Sequence, residues 1–314
     1  MAFDLEYVEK YIPEFCNRYN YPDEARESFM DVLKRAAADE ELKESFFAPA
    51  KAYAAGKKIA YRKNLSGNDG VCKRLAEKLN VSPYTADFVY CLTLIPYLQE
   101  RYEQKGLDLQ IFYDGMDDFR CKLWECKRVY DVWGSFVAGW FGGWFILDRF
   151  AFGRLQYEPR KHIWIHCKLG ENGEKRVRLF QKFLNMHIPS SGPLTPESVE
   201  DSYKRAYAFF RERGYAEDIV FHTDSWLLSP DHEKMFSPDS NIVRFVKCFR
   251  VVRVGEQKGE HDFWRIYNRP YNAAAPDYSG ETTMQKKYAE LLSAGGHIKS
   301  GAGVFIYDGK KFYK

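Results

Sequence analysis

The sequence predicts an α+β protein, with an all-helical N-terminal domain over residues 1–127 and a mixed α/β domain over 128–314. Three observations carry this. Through the first half, apolar residues recur at the helical period, and no stretch alternates as a strand does. From about Trp124 onward the patterning turns to alternation and hairpin signals. Within the second half, residues 183–228 read strand, loop, helix, strand, an order that implies a right-handed crossover and parallel pairing.

The helical half divides at its cap signals. Residues 3–19 form a first helical stretch, Pro22-Asp23-Glu24 opens a second, and Asp39-Glu40-Glu41 opens a third that runs to about Ala55 before Gly56. Asn68-Asp69 caps a short helix ending at Leu79, and Ser82-Pro83 starts a long one that carries Pro96, a point of expected kinking. A last helix is expected over 108–127. Residues 75–85 have the outline of a helix-turn-helix. The would-be recognition helix, however, continues through Asp87, Phe88, Val89 and Leu92 rather than base-reading side chains.

In the second half, strands are expected at 154–158 and 162–167, joined by a turn near Pro159-Arg160. Gly170-Glu171-Asn172-Gly173 reads as a hairpin turn into a strand over 176–188. Pro189-Ser190-Ser191-Gly192-Pro193 breaks that strand. Thr195 is an N-cap with Pro196 at the first helical position, and Val199, Tyr203, Ala206, Tyr207 and Phe210 make one apolar face. Gly214 stops this helix, and residues 218–228 read as the second parallel strand. Ser240-Asn241-Ile242 opens a short helix, and 249–254 with 262–267 read as an antiparallel pair. A helix over 282–293 and a hairpin about Asp308-Gly309 complete the chain.

Bulk properties exclude several classes of function. The 45% hydrophobic content supports a sizeable core and argues against disorder. The 47 basic and 44 acidic residues are interleaved, so no strong field favours nucleic acid or an anionic membrane. The apolar run 132–147 is shorter than the ~20 residues of a membrane span. Seven scattered cysteines without a CxxC pair fit reduced thiols in a cytoplasmic protein, and the acidic N-terminus does not read as a signal peptide. His162 and His166 are four apart, but in a strand that spacing is roughly 13 Å, too far to share a metal.

The polar residues of the two parallel strands are the chemical signal. Asn185 and His187 share one face of the first strand, and His222, Asp224 and Trp226 share one face of the second. Buried parallel strands are normally continuous apolar runs, so such residues need hydrogen-bond partners or a cleft. The loop after the first strand opens onto a helix start, where backbone N–H groups of Ser190, Ser191 and Gly192 suit an anion. Glu197, Glu200 and Asp201 in the same first turn oppose one.

Four segments carry a family resemblance. They are Phe152-Gly153-Arg154-Leu155-Gln156-Tyr157-Glu158, Asn185-Met186-His187-Ile188-Pro189-Ser190-Ser191-Gly192-Pro193-Leu194, Asp224-Ser225-Trp226-Leu227-Leu228-Ser229-Pro230 and Ser240-Asn241-Ile242. Together they resemble the bacterial two-domain acyltransferase domain-containing proteins, with a helical N-terminal N-acyltransferase domain and a GNAT-like C-terminal domain. The resemblance implies transfer of an acyl group from acyl-CoA to a small-molecule or peptide amine. It implies that the strand holding Asn185, Met186 and His187 pairs with the pantetheine arm, and that the loop from Ser190 through Gly192 to Thr195 meets the pyrophosphate. His222, Asp224 or His187 would then be the base, and Tyr267 the acid that protonates the leaving thiolate. The loop has a single glycine between two prolines where the family's relatives carry a glycine-rich pattern. Two other readings stay open on these residues: a non-catalytic ligand-binding or regulatory module on the same scaffold, and a helix-turn-helix regulator.

Overall fold

The computed structural model describes residues 2–314, which divide into two compact units at the Asp148/Arg149 junction. The first unit is helical. Its helices are α1 (Leu5–Arg18), α2 (Asp23–Ala38), α3 (Glu40–Ser45), α4 (Ala48–Ala54), α5 (Val71–Leu79), α6 (Pro83–Gln104), α7 (Leu109–Tyr130) and the single turn α8 (Gly142–Phe145). No strand lies before Phe150 among the described residues. The expected third helix is split into α3 and α4, because Phe46 and Phe47 turn inward as core residues between them.

The helix-turn-helix outline is two core helices. In α6, residues 86–92 are all buried, and Asp87 accepts from Ser66 N and Oγ, each at 2.8 Å. The stretch that would read bases is therefore closed to solvent.

The unit boundary falls 21 residues later than the patterning of the sequence suggests, counted from 127 to 148. Residues 131–148 belong to the helical unit because their aromatic side chains complete its core. Phe141 stacks on Phe119 with ring centroids 3.8 Å apart, and Ala138 O accepts from the Tyr61 hydroxyl at 2.8 Å.

The second unit is built on a mixed sheet. Its strands are β1 (Phe150–Phe152), β2 (Leu155–Arg160), β5 (Phe183–His187), β6 (Ile219–Ser225), β7 (Arg250–Glu256), β8 (Lys299–Tyr307) and β9 (Phe312–Tyr313), with a separate hairpin of β3 (Cys167–Leu169) and β4 (Lys175–Val177). The main order is β1-β2-β5-β6-β8-β7, with β9 paired to β8. Helices α9 (Pro196–Arg211), α10 (His232–Met235), α11 (Asn241–Val246), α12 (Phe263–Tyr267) and α13 (Thr283–Ser293) complete the unit.

The central strand–helix–strand unit forms as its sequence dictates. Thr195 Oγ1 accepts from Ser198 N, Pro196 opens α9, and Gly214 adopts φ +79° at the stop. Val199, Tyr203, Ala206 and Phe210 are buried, and Tyr203 packs on Phe221 and Phe305 of the sheet. Burial of this stripe removes several large side chains from water, at ~1.5–3 kcal/mol each. The opposite face of the sheet is covered by the β3–β4 hairpin and residues 162–166, with Ile163, Leu169 and Val177 on Phe183, Val220 and Ile306.

Several expectations for this unit fail. The strand expected over 176–188 is interrupted: β4 ends at Val177 and β5 begins at Phe183, with Phe180 at φ +63° in the turn between them. The second parallel strand ends at Ser225, and Trp226–Leu228 form a 3-10 turn. Residues 162–166 alternate like a strand but join no sheet; only Ile163 bonds backbone to backbone, with Phe180 and Gln181. Pro159-Arg160 is not a turn but the end of β2. Proline is tolerated there because pairing with β1 ends at Tyr157, so one side of the strand has no neighbour. Residues 263–267 are helical rather than a strand: Phe263, Ile266 and Tyr267 are spaced three and four apart and dock on Tyr288 and Leu292 of α13. The partner of β7 is β8.

Candidate active site

The site is a wedge between two parallel strands. β5 and β6 pair only at Leu184↔Phe221 and Asn185↔His222. Past that point β5 stays paired with β2 as far as His187, and β6 with β8 as far as Ser225. The outer neighbours hold each strand while the inner edges separate. Alternate residues of a strand turn N–H and C=O to the same side, so the parted edges present backbone groups that no ladder satisfies.

The loop from β5 to α9 leaves the open end of this wedge. It is organised by Arg154, from the turn between β1 and β2. The Arg154 guanidinium donates to Pro189 O at 2.8 Å, Gly192 O at 2.8 Å and Pro193 O at 3.1 Å. Drawing three carbonyls to one cation sets the loop's path. The N–H groups of Ser191 and Gly192 have no hydrogen-bond partner among the described residues. Gly192 has φ +136°, a conformation other residues rarely adopt, in open space. The opposing carboxylates are partly answered: Glu200 pairs with Lys204 at 2.7 Å, and Asp201 with Arg205 at 3.7 Å.

A buried polar chain runs across the strands beneath the wedge. Glu158 on β2 lies opposite Asn185 on β5, which lies opposite His222 on β6, so the three share one face. Glu158 is 6% exposed. It accepts from Arg149 Nη2 at 2.6 Å, from Arg160 and from His187 Nε2 at 3.0 Å. The Asn185 amide lies 3.2 Å from His187 Nε2 and 3.0 Å from His222 Nδ1. Burial pushes the Glu158 carboxyl up, but the His187 hydrogen bond and the Arg149 charge outweigh it and hold the carboxyl at about 2. Burial drives His222 the other way, down to about 4, against the opposing pull of Asp224. His222 is thus neutral at neutral pH.

His222 also lines a cavity of about 550 Å³ with Phe183, Trp164, Ile165, Val252 and Arg253. Asp224, Ala302 and Arg253 lie in one cross-strand row. Across the small Ala302, Arg253 Nη2 reaches Asp224 at 2.7 Å. Gly301 and Gly303 admit the turn after β6 on the other face, where a Cβ at Gly301 would stand 2.4 Å from Leu228 O.

The residues singled out in the sequence are only partly gathered here. Asn185, His187, His222 and Asp224 come together. Met186 is 1% exposed, with its side chain on the opposite face, so only its backbone can serve the wedge. The Thr195 hydroxyl is taken up in capping α9. Tyr267 is 2% exposed, is stacked on Phe263, and donates to Gln285 O at 2.9 Å. It belongs to the small core under α13 and is not brought to the His222 cluster, and burial raises its phenol to about 12.

Sequence reasoning missed Glu158, Arg149, Arg160, Arg154 and Arg253. One signal was available: Gln156, Glu158 and Arg160 alternate along β2, a polar face on a strand that turns out to be covered.

The N-acyltransferase N-terminal domain model matches residues 10–146, and the GNAT-like C-terminal domain model matches residues 150–305. The chain belongs to the two-domain N-acyltransferase family with a GNAT-like C-terminal domain. Both matches respect the junction at Asp148/Arg149.

Solved structures share the fold across both units. An acyltransferase in complex with decanoyl-CoA and teicoplanin superposes with a TM-score of 0.66 at 17% identity, covering 93% of this chain and 86% of that one. An acyltransferase mutant in complex with octanoyl-CoA gives 0.67 at 17% identity, covering 94% and 87%. An acyltransferase in complex with decanoyl-CoA gives 0.57 at 17% identity, covering 93% and 98%. No curated protein matches the sequence.

Proposed function

We propose that this protein transfers an acyl group from acyl-CoA to an amine carried by a small molecule or peptide. The observation that carries the reading is the wedge: two parallel strands that part at Asn185/His222, with an anion-compatible loop at the open end. Family membership and the acyl-CoA complexes of the structural neighbours support it. The free edges of β5 and β6 suit the amides of a pantetheine arm, and the Ser191 and Gly192 N–H groups suit its pyrophosphate. The free cysteines are consistent with a cytoplasmic setting, and among the described residues no helix is long and apolar enough to cross a membrane.

His187 is the base in this scheme. Its Nε2–H donates to ionised Glu158, which fixes the ring and, in the neutral form, leaves Nδ1 as the proton-accepting nitrogen. The amine nitrogen attacks the thioester carbonyl, and its proton passes to His187. The C–S bond breaks, and the thiolate recovers a proton from the imidazolium. Asp224, two residues beyond His222 on β6, is held in an ion pair by Arg253. Tyr267 has no part in this chemistry.

Amine-dependent release of thiol from decanoyl-CoA or octanoyl-CoA tests the reading, with calorimetric titration of coenzyme A beside it. We expect binding in the micromolar to millimolar range, and turnover that falls ~10²–10⁴-fold in His187→Ala while coenzyme A affinity changes little. A folded protein that binds no coenzyme A at millimolar ligand would end the proposal.

A further inference from the structure

We propose that the buried chain Glu158–His187–Asn185–His222 makes His222 a neutral hydrogen-bond donor at the vertex of the wedge, presenting Nε2–H to the thioester oxygen rather than acting as a base. The chemical role rests on the acyl-transfer reading. The position of the proton rests on the hydrogen-bond chain alone.

Glu158 is surrounded by Arg149, Arg160 and His187. A carboxylate so held is ionised and can only accept. His187 Nε2, 3.0 Å away, is therefore a donor. The Asn185 amide also approaches that nitrogen, at 3.2 Å. An amide N–H turned toward it would set two donors against each other. The amide oxygen fits instead, and a half-turn of the side chain exchanges oxygen and nitrogen within the same volume. The Asn185 amide nitrogen then faces His222 Nδ1 across 3.0 Å and donates to it. A neutral imidazole that accepts at Nδ1 carries its proton on Nε2.

The opposite polarity requires a protonated Glu158. His187 would then accept at Nε2, Asn185 would donate to it, His222 would donate from Nδ1, and Nε2 would hold a lone pair. The charge on Glu158 thus selects, through two intervening side chains, whether His222 offers a proton or a lone pair. Glu158 and Asn185 are positioning residues in this account.

His222 is placed to use the donor. It is the last β6 residue paired with β5 and it lines the cavity. When the amine adds, the thioester oxygen gains negative charge, and a fixed N–H there strengthens its hydrogen bond without transferring its proton. Burial keeps the ring uncharged.

Long-range proton–nitrogen correlation of the ¹⁵N-labelled full chain at neutral pH reads the tautomer directly. The His222 signals are assigned by their loss in His222→Gln. We expect a pyridine-type Nδ1 and a pyrrole-type Nε2; a protonated Nδ1 with a bare Nε2 would overturn the proposal. Turnover supplies the second readout. His222→Gln keeps an N–H of similar reach and should retain kcat within ~10-fold, whereas His222→Leu should lose ~10²–10³-fold, the usual effect of deleting one oxyanion donor. Equal loss in both variants would refute the donor role. A wild-type protein with the expected tautomer but no turnover would sink the acyl-transfer reading and leave the proton assignment standing.

Discussion

Glu158→Gln replaces an ionised carboxylate by a neutral amide of nearly the same shape, at the buried end of the polar chain. Glu158 is 6% exposed and faces Arg149, itself 4% exposed, with a 2.6 Å contact between them. Removing the charge leaves Arg149 buried without its counter-ion. Loss of one partner from a buried pair costs ~3–5 kcal/mol. The carboxyl's own titration gives a matching figure: a fall from 4.5 to about 2 corresponds to ~3 kcal/mol. The sign follows from the direction. The folded value is depressed, so the stabilisation is complete above 4.5 and is lost as the pH falls through about 2. Urea unfolding of wild type and variant at about pH 7 and about pH 3 is the assay. The gap should be ~3 kcal/mol at neutral pH and roughly half that at the lower pH. A neutral-pH gap under ~1 kcal/mol, or a gap independent of pH, would refute the reasoning, because either result would mean that Glu158 is not held ionised by its neighbours.

Three further outcomes test other parts of the structure. Gly192→Leu meets no steric obstacle but must adopt φ +136°, so it should weaken coenzyme A binding by ~10-fold or more in calorimetry; unchanged affinity would remove the loop from the binding site. Tyr267→Phe should lose ~1 kcal/mol of stability, the worth of its bond to Gln285 O, and leave turnover intact; a drop in kcat would restore it as the acid. His232 Nε2 is 2.7 Å from the Tyr288 hydroxyl, and its Nδ1 is 3.1 Å from Leu227 O. Tyr288→Phe should therefore cost ~1–3 kcal/mol by chemical denaturation, since it strands a fully buried ring nitrogen; a neutral substitution would show that this nitrogen finds another partner.

Much of the second unit was legible because its signals are local. Thr195 and Pro196 cap α9 wherever the chain goes, since the cap needs only the next few residues. The turn at Gly170-Glu171-Asn172-Gly173 and the hairpin at Asp308-Gly309 likewise need only their own backbone. Period-two spacing placed Asn185 with His187 and His222 with Asp224 and Trp226; the folded strands keep the first two pairs on one face, but β6 ends at Ser225 and Trp226 turns away to pack against Tyr288. The same rule misled at residues 162–166, where alternation is present but no strand lies alongside to pair with them. It misled again at 263–267, where three- and four-residue spacing was the better guide.

By itself the sequence determined the helical first half, the strand–loop–helix–strand unit of the second and the faces on which its polar residues lie, because periodicity and capping act over a few residues. Tertiary structure decided which strands are neighbours. It set Glu158 opposite Asn185 and Asn185 opposite His222, brought Arg149 and Arg160 to one carboxylate, and sent Arg154 from another hairpin to grip the loop. It also parted β5 from β6, because each strand remains paired on its outer side after the inner pairing stops. Register between strands distant in sequence is chosen by the burial of a whole sheet face, and no single stretch of sequence contains that information.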